Sequence, residues 1–389
     1  PKFIRAVELV LHVLPMIQSA PERVNLLGLE RAALEALVLE LGSKPFRARQ
    51  LMHWLYKRGE GRIQEMTDLA KDFRKVLDER TEVRTPDIVS VQASADGTRK
   101  WLLKADAAQA FEMVFIPEDD RGTLCISSQV GCALDCSFCS TGQEGFNRNL
   151  STAEIVGQVW LAKRELGEGP QTGLPGERIV TNVVLMGMGE PLANFRAVVP
   201  ALRIFLDDFG FDLSRRRVTL STSGLAPQIW KLAQEVNCAL AVSLHAPDDE
   251  LRNELVPINK KHPIAELLDA CWHYIDEQNG RSVTFEYVML AGVNDSVSQA
   301  RALAALLKGH PAKVNLIPFN PFPGTHFRRS APPVIERFRD ELVGRGVLAT
   351  IRRTRGDDID AACGQLAGRV IDRTTARLGN KHMNVVVLS

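Results

Sequence analysis

Between residues 179 and 356 the chain alternates between two periods, and this alternation limits its fold more than any other feature. Strand-like runs "IVTNVVLMG" (179 to 187), "RVTLSTSG" (217 to 224), "CALAVSLHA" (238 to 246), "SVTFEYVMLAG" (282 to 292), "KVNLIPFNPF" (313 to 322) and "LATIRRTRG" (348 to 356) are separated by segments of helical period such as "VSQARALAALLKG". Strands joined through helices predict a parallel sheet. With the run that ends near Cys125 as the first strand, the count suits an α/β chain with a (β/α) barrel, complete or partial. Such barrels carry their chemistry at the C-terminal ends of the strands. Polar and glycine-rich residues gather at those ends here.

Other segments precede the barrel. Residues 1–22 match no later pattern and read as an N-terminal extension. Residues 23–85 read as a small helical domain: "LERAALEALVLELG" and "FRARQLMHWLYKRG" keep helical spacing and stop at Gly42 and Gly59. Over 86–122 the period drops to two, with a hairpin turning at Asp96-Gly97 and two further extended runs around an acidic turn. The core is expected over 123–370 and a tail over 371–389. Ser151 and Glu154 predict a capping box at the head of the helix that follows the cysteine loop.

A charged fraction of 24% and a hydrophobic fraction of 45% are those of an ordinary soluble globular chain, here 389 residues long. Net charge is only +1, yet from Ser43 to Lys75 nine Lys or Arg stand against four Asp or Glu, an excess suited to phosphates or to a solvated helix face. No apolar run reaches the roughly 18 residues a membrane helix needs. "VELVLHVLPMI" is broken by Glu8, His12 and Pro15 and does not read as a signal peptide. Seven cysteines, an odd number with four of them in one short stretch, fit a reducing cytoplasm better than a secreted disulfide framework.

The stretch "LCISSQVGCALDCSFCSTGQ" holds four of those cysteines. Cys132, Cys136 and Cys139 make C-x3-C-x2-C in a loop just after an expected strand. Three thiolates hold a four-iron cluster with one iron open to a substrate or cofactor. A structural zinc site wants four closing ligands, and no His or Cys follows at finger-like spacing. A ferredoxin wants a fourth nearby cysteine, and Cys125, the one candidate, sits on the strand. At the next strand end, "VVLMGMGEPLAN" supplies glycines that let backbone approach a ligand and Glu190 to accept from an ammonium group, although an ordinary strand-to-helix turn reads the same way. Ser221, Ser223, Ser243, His245 and Asn320 end further strands. Singly, His245 has the profile of a packing histidine; together these groups line one mouth.

C-x3-C-x2-C with Phe138 before its last cysteine resembles the signature of radical S-adenosylmethionine enzymes, and "GMGEPLAN" resembles their motif for the methionine amino group. With "FEMVFIPEDDRGTLCISSQVGCALDCSFCSTGQEGFNRNL", "RRVTLSTSG", "SLHAPDDELRNELVPINKK", "NLIPFNPFPG" and "TRGDDIDAACGQLAG", the chain resembles, from about Leu26 to about Arg377, the bacterial dual-specificity methyltransferases of adenine C2 in 23S ribosomal RNA and tRNA. The resemblance implies a radical S-adenosylmethionine partial (β/α) barrel with a small N-terminal helical accessory domain. It implies a [4Fe-4S] cluster on Cys132, Cys136 and Cys139, and S-adenosylmethionine, two per turnover, held by Gly189, Glu190, Ser221, Ser243, Leu244, His245 and Asn320.

It also implies uses for the remaining cysteines. C2 of adenine is electron-poor and not nucleophilic, so direct transfer from a sulfonium methyl should fail. In the family a cysteine matching Cys363 takes a methyl group first, as a thiolate. A radical made from a second S-adenosylmethionine removes a hydrogen from that methyl, and the carbon adds to C2. Cys125 then frees the RNA through a transient disulfide with Cys363, with Glu112 and Cys125 as the alternative acceptors of the C2 proton. Cys238 and Cys271 lie in apolar contexts and read as core.

The implied partners are 23S ribosomal RNA before ribosome assembly is complete, tRNA at the adenine 3′ to the anticodon, and an electron donor such as flavodoxin; a cytoplasmic monomer without membrane contact is expected. Lys44, Arg47, Arg49, Lys57 and Arg58, with Arg215, Arg216, Arg217 and "IRRTRG", are the candidate phosphate contacts. The alternatives are a C8 methyltransferase of the antibiotic-resistance type, which shares the cluster and both extra cysteines, a noncatalytic iron-sulfur carrier, and a zinc-stabilised RNA-binding module.

Overall fold

The alternating runs lie side by side in one sheet in the computed structural model, which describes residues 23–168, 178–279 and 282–374. The extension expected over 1–22 and most of the tail, 375–389, lie outside the described residues.

Ahead of the sheet, β1 (Val24–Asn25) pairs in parallel with β2 (Thr81–Glu82), and between them run α1 (Arg31–Glu40), α2 (Arg47–Met52) and α3 (Lys71–Arg80). Leu34 and Val38, one turn apart, are fully buried on α1, and Gly42 ends that segment in the left-handed conformation at φ 75°. A single π-helical turn, 53–57, continues α2 and buries Trp54, Leu55 and Tyr56. This helical segment is held to the rest of the chain by apolar burial: Leu26 and Leu27 are fully buried, and the Tyr56 ring lies 4.9 Å from that of Phe211. Trp160 Nε1 also donates to the Leu55 carbonyl at 2.9 Å. Arg31 with Asp207 (2.5 Å) and Arg203 with Glu30 (3.2 Å) add partly exposed ion pairs.

β3 (Ile88–Ala93), β4 (Arg99–Lys104), β5 (Ala110–Glu118) and β6 (Arg121–Cys125) form an antiparallel meander, its first turn at Asp96-Gly97. A short antiparallel ribbon, β7 (Gln129–Gly131) with β8 (Phe146–Asn149), encloses α4 (Ser140–Glu144). Then α5 (Thr152–Glu165), capped by the reciprocal Ser151–Glu154 bonds, leads into β9 (Asn182–Leu185), α6 (Phe195–Leu206), β10 (Val218–Thr222), α7 (Ala226–Glu235), β11 (Ala239–Ser243), α8 (Asp249–Leu255), α9 (Ile264–Glu277), β12 (Val283–Met289), α10 (Val297–Leu307), β13 (Ala312–Pro318), α11 (Pro332–Gly344) and β14 (Leu348–Ile351). The ten-stranded sheet runs β14-β13-β12-β11-β10-β9-β6-β5-β4-β3, parallel from β6 to β14.

Among the described residues β14 pairs with β13 alone, so the barrel is partial and its interior opens to one side. A cavity of about 770 Å³ occupies that interior, with polar Thr219, Thr284 and Asn315 on its wall. Most of the parallel strands stop several residues short of the runs read from the sequence; β13 ends at Pro318 instead of Phe322. Proline has no N–H for the ladder. The polar tails thus leave the sheet and crowd one mouth.

Leu220→Ala on central β10, whose side chain is fully buried, is expected to lower stability by about 2–5 kcal/mol. Arg203→Ala, which removes only partly exposed pairs to Glu30 and Glu235, should change it by less than about 1 kcal/mol. Thermal unfolding of the two variants in parallel checks the contrast.

Candidate active site

The cysteine loop is closed by the β7–β8 ribbon, where the Cys132 N–H donates to the Gly145 carbonyl at 2.7 Å. The loop tightens again where the Cys139 N–H meets the Cys136 carbonyl at 3.1 Å. Backbone N–H groups of Gly142 and Thr141 point at the Cys139 sulfur, and that of Leu134 at Cys132. All three thiols are unbridged. Burial pushes each of them up, and the neighbouring sulfur adds to this at Cys132 and Cys136. Crowded thiols in a dry pocket ionise readily only against a cationic group, and amides aimed at sulfur suit a cluster's thiolates. Among the described residues no three His, Cys, Asp or Glu groups converge as donors to a single ion would. The three cysteines nevertheless line one cavity, as fits a polynuclear cluster with each thiolate on its own iron.

Gly189 follows β9 at φ 96°, and a Cβ there would fall 2.4 Å from that of Gln129. The Gln129 amide uses that closeness: its Oε1 accepts the Glu190 N–H at 2.8 Å. Glu190 is itself buried, accepting from Leu192 N–H (3.0 Å) and Ser223 N–H (2.7 Å). Burial, opposed by those amides, holds its carboxyl at about 7. A fixed carboxylate in a dry cavity favours a cationic ligand group.

The next two strand ends are tied by Arg252, which is fully buried on α8. Its guanidinium donates to the carbonyls of Ser223 (2.7 Å), Ser243 (2.9 Å) and Leu244 (3.0 Å) and to Asn259 Oδ1 (2.6 Å). Beyond β11, His245 adopts φ 61°, and its carbonyl accepts from Asn294. Its Nδ1 accepts the Val288 N–H at 3.0 Å, which puts the ring proton on Nε2. Burial, with Arg252 nearby, holds this imidazole down at about 3, so it is neutral. The ring meets that of Phe138 edge-on at 4.5 Å and steadies the residue before Cys139.

A cavity of about 160 Å³ gathers Cys132, Cys136, Cys139, Gly189, Glu190, Ser221, Ser243 and His245 on its wall. Leu244 is fully buried and lies off that wall, its carbonyl accepting from Arg252 and its N–H donating to the Glu286 carbonyl. Asn320 lines the larger cavity, where its Nδ2 donates to the Cys363 carbonyl at 3.2 Å. Cys363 and Arg352 line both cavities.

Cys363 rides on an irregular C-terminal segment strapped across the mouth. Its neighbour Gly364 accepts from Ser140 N–H (2.9 Å), Leu366 from Thr141 Oγ1 (2.7 Å), and Arg369 exchanges two backbone bonds of 3.0 Å with Ala110. Under the strap, Lys100, Val114 and Cys125 lie in one cross-strand row, and Glu112 is two residues from Val114 on the same face. Burial pushes the Cys125 thiol up to about 12; the charge of Cys363 adds to this and Arg352 opposes it. Glu112 pairs with Lys100 at 3.1 Å and accepts the Ala367 N–H at 3.0 Å. Burial nevertheless pushes its carboxyl upward. Cys238 and Cys271 are buried, with Cys238 against the Tyr274 hydroxyl.

Sequence reasoning missed Arg252, Lys100 and Arg352 as individual residues. "DDELRNELVPINKK" and "IRRTRG" held two of them, but which arginine turns inward depends on the fold. Of the cations expected to meet phosphate, Lys44, Arg49 and Arg58 are exposed, Arg58 lying over Trp54. Lys57 pairs with Asp212 at 3.0 Å, and Arg47 bonds Gln50 and the Asp68 carbonyl. Arg215 and Arg216 line the open cavity, and the exposed Arg217 reaches the Thr181 carbonyl at 3.4 Å. No helix among the described residues is long and apolar enough to cross a membrane.

Arg252→Met leaves several buried acceptors unpaired and is expected to destabilise the protein by at least about 3 kcal/mol. Arg252→Lys, which cannot reach all four acceptors, should recover only part of the loss in thermal unfolding.

Residues 24–83 match the model of the ribosomal RNA large subunit methyltransferase N-terminal domain, and residues 126–303 match that of the radical SAM superfamily. A radical SAM methyltransferase from Sphaerobacter thermophilus is 45% identical, with 88% of this chain and 99% of that one covered and a TM-score of 0.80. A domain of pyruvate-formate lyase-activating enzyme from Bacteroides vulgatus (18% identical, 44% and 99% covered, TM-score 0.33) is a far weaker likeness. So is Streptococcus suis SuiB bound to precursor peptide SuiA (14% identical, 59% and 49% covered, TM-score 0.42). The chain belongs to the radical SAM methyltransferases, and it carries the N-terminal domain of the large-subunit ribosomal RNA methyltransferases.

Proposed function

We propose that this enzyme methylates C2 of adenine in 23S ribosomal RNA, before ribosome assembly is complete, and in tRNA at the adenine 3′ to the anticodon. The observation that carries a two-stage route is Cys363, a thiol outside the cysteine loop at the junction of a small cavity and a large one, and the N-terminal domain match supports ribosomal RNA as the substrate. A radical enzyme that methylated by simple displacement would need no such thiol.

In this reading Cys132, Cys136 and Cys139 hold a [4Fe-4S] cluster, and Gly189, Glu190, Ser221, Ser243, Leu244, His245 and Asn320 hold S-adenosylmethionine. Together these groups supply, when bound, a radical able to take a hydrogen atom from a methyl group. The chain's own residues do the rest. Cys363 takes a methyl from one S-adenosylmethionine by displacement, and a second is used in the radical step, so two are spent per turnover. The carbon on Cys363 then bonds C2 of the adenine. Glu112 takes the C2 proton, and the unpaired electron left on the adduct passes back to the one-electron carrier, which leaves a closed-shell thioether. Glu112 has this role because a thiol held at about 12, as Cys125 is, keeps its own proton at neutral pH, whereas Lys100 favours the Glu112 anion. Cys125 then attacks the Cys363 sulfur. The S–S bond forms as the S–C bond breaks, the electron pair stays on carbon, the proton that Cys125 gives up completes the methyl group, and an external dithiol reopens the disulfide.

The target base must leave its stack to reach Cys363, and the interior cavity of about 770 Å³ has room for it. Residues 23–85 are the RNA-binding accessory domain, with Lys44, Arg49 and Arg58 exposed for phosphate. The hairpins of 86–122 lead into a core over 123–370. The enzyme works as a cytoplasmic monomer with a one-electron donor such as flavodoxin.

Mass spectrometry of the expressed protein is expected to find Cys363 methylated, and nuclease digests of treated RNA to yield 2-methyladenosine. Cys363→Ala should reduce RNA methylation to background, and Cys125→Ala should leave RNA covalently held on Cys363. An 8-methyladenosine product, or an active Cys363→Ala enzyme, overturns the reading.

A further inference from the structure

We infer that Lys100 is a positioning residue for proton transfer: it keeps Glu112 ionised in a dry site and ties it to the loop that carries Cys363. The inference rests on the reading of Glu112 as the proton acceptor. Lys100 lies on β4 and is almost fully buried, an unusual place for a lysine unless it is paired. Its ammonium has two partners: Glu112 Oε1 at 3.1 Å and the Asp360 carbonyl at 3.2 Å, in the segment leading to Cys363. The other carboxylate oxygen of Glu112 is held by the Ala367 N–H at 3.0 Å, on the far side of Cys363. The carboxylate is therefore clamped by both flanks of the strap, one of them through Lys100.

The surroundings make this cation matter. Burial works against the Glu112 anion, and the charged groups facing it are Lys100 from β4, Asp360 from the strap and Glu144 from α4. Two of those three are acidic. Glu144 accepts the Gly368 N–H at 2.9 Å, next to the residue that binds Glu112, and burial holds its carboxyl at about 7. Without Lys100, Glu112 would sit in a dry pocket with like charges only, and its neutral form, which cannot accept a proton, would dominate at neutral pH. Lys100 and Cys125 flank Val114 in one row of the sheet, so the cation is also built into the face that carries the releasing thiol.

The test uses the full-length, cluster-loaded enzyme with RNA, in Lys100→Met, Lys100→Gln, Lys100→Arg and Glu112→Gln forms. Turnover is followed from pH 7 to 9, and covalent protein–RNA species are scored on denaturing gels. With the counter-charge gone the Glu112 carboxyl moves up, so the limb where activity rises with pH moves up too. Lys100→Met and Lys100→Gln should lose about 10- to 100-fold in turnover at neutral pH, accumulate RNA on the protein, and recover as pH rises. Lys100→Arg should stay near the parent. Loss of turnover in Met and Gln variants with no adduct and an unshifted pH limb means a merely structural lysine and overturns the inference, as does full activity. If Glu112→Gln traps the adduct while the Lys100 variants do not, Lys100 alone is misread. If Glu112→Gln turns over normally, the proton-acceptor reading falls and takes this inference with it.

Discussion

Backbone that leaves a parallel sheet inside a dry mouth must find new hydrogen-bond partners, and meeting that demand shapes this protein. At several strand ends a buried polar side chain does so. Gln158 takes both backbone groups of Ser127 beyond β6, at 2.8 and 2.9 Å. Asn194 donates to the carbonyls of Ser128 and Leu150. Arg252 serves the ends of β10 and β11, and Asn294 the end of β12, where it donates to Val288 and accepts from Leu290. Freed of the ladder, Glu190, Ser223 and His245 face a common cavity, with the amides of Glu190 and Ser223 taken by Gln129 and Glu190. Function here depends on how the sheet is terminated.

The same logic joins the two halves of the chemistry. Ser140 and Thr141, directly after the last cysteine of the loop, bond to carbonyls on either side of Gln365, within three residues of Cys363. Glu112 and Glu144 accept N–H groups from consecutive residues, Ala367 and Gly368. The strap buries Ala361 and Leu366 and is otherwise held by directed bonds, several of them to the cysteine loop below it. Arg352 stands where the cavities meet, and its charge is favoured first by Cys363, then by Glu286 and Cys125.

Much of this was legible in the sequence because it is local. Helix stops at Gly42 and Gly59, the capping box at Ser151, the turn at Asp96-Gly97 and the alternation of strands and helices depend on neighbours within a few positions. The cysteine spacing and the residues of "GMGEP" are equally local. The sequence runs exceed the strands for a physical reason: "NLIPFNPF" and "LATIRRTRG" stay apolar or extended past the point where the ladder stops, at Pro318, which has no N–H to give, and at Ile351. The cations of 43–75 were read as one basic run, yet Lys57 is taken by Asp212, a residue more than a hundred positions away.

By itself, then, the sequence determined the order of elements, the cluster loop and the family's motifs, since spacing along the chain sets which groups can share a turn or a strand end. Tertiary structure alone decided which charges pair. Lys100 meets Glu112 because β4 and β5 pair in one register, and a shift of one residue would send one of them to the opposite face. Arg252 becomes the knot of the mouth only because α8 folds back beneath two strand ends. Cys363 comes near Cys125, more than two hundred positions earlier, on a strap tied down by long-range bonds such as those to Thr141 and Glu112. Pairings of that kind follow from register and burial in three dimensions, which no local pattern encodes.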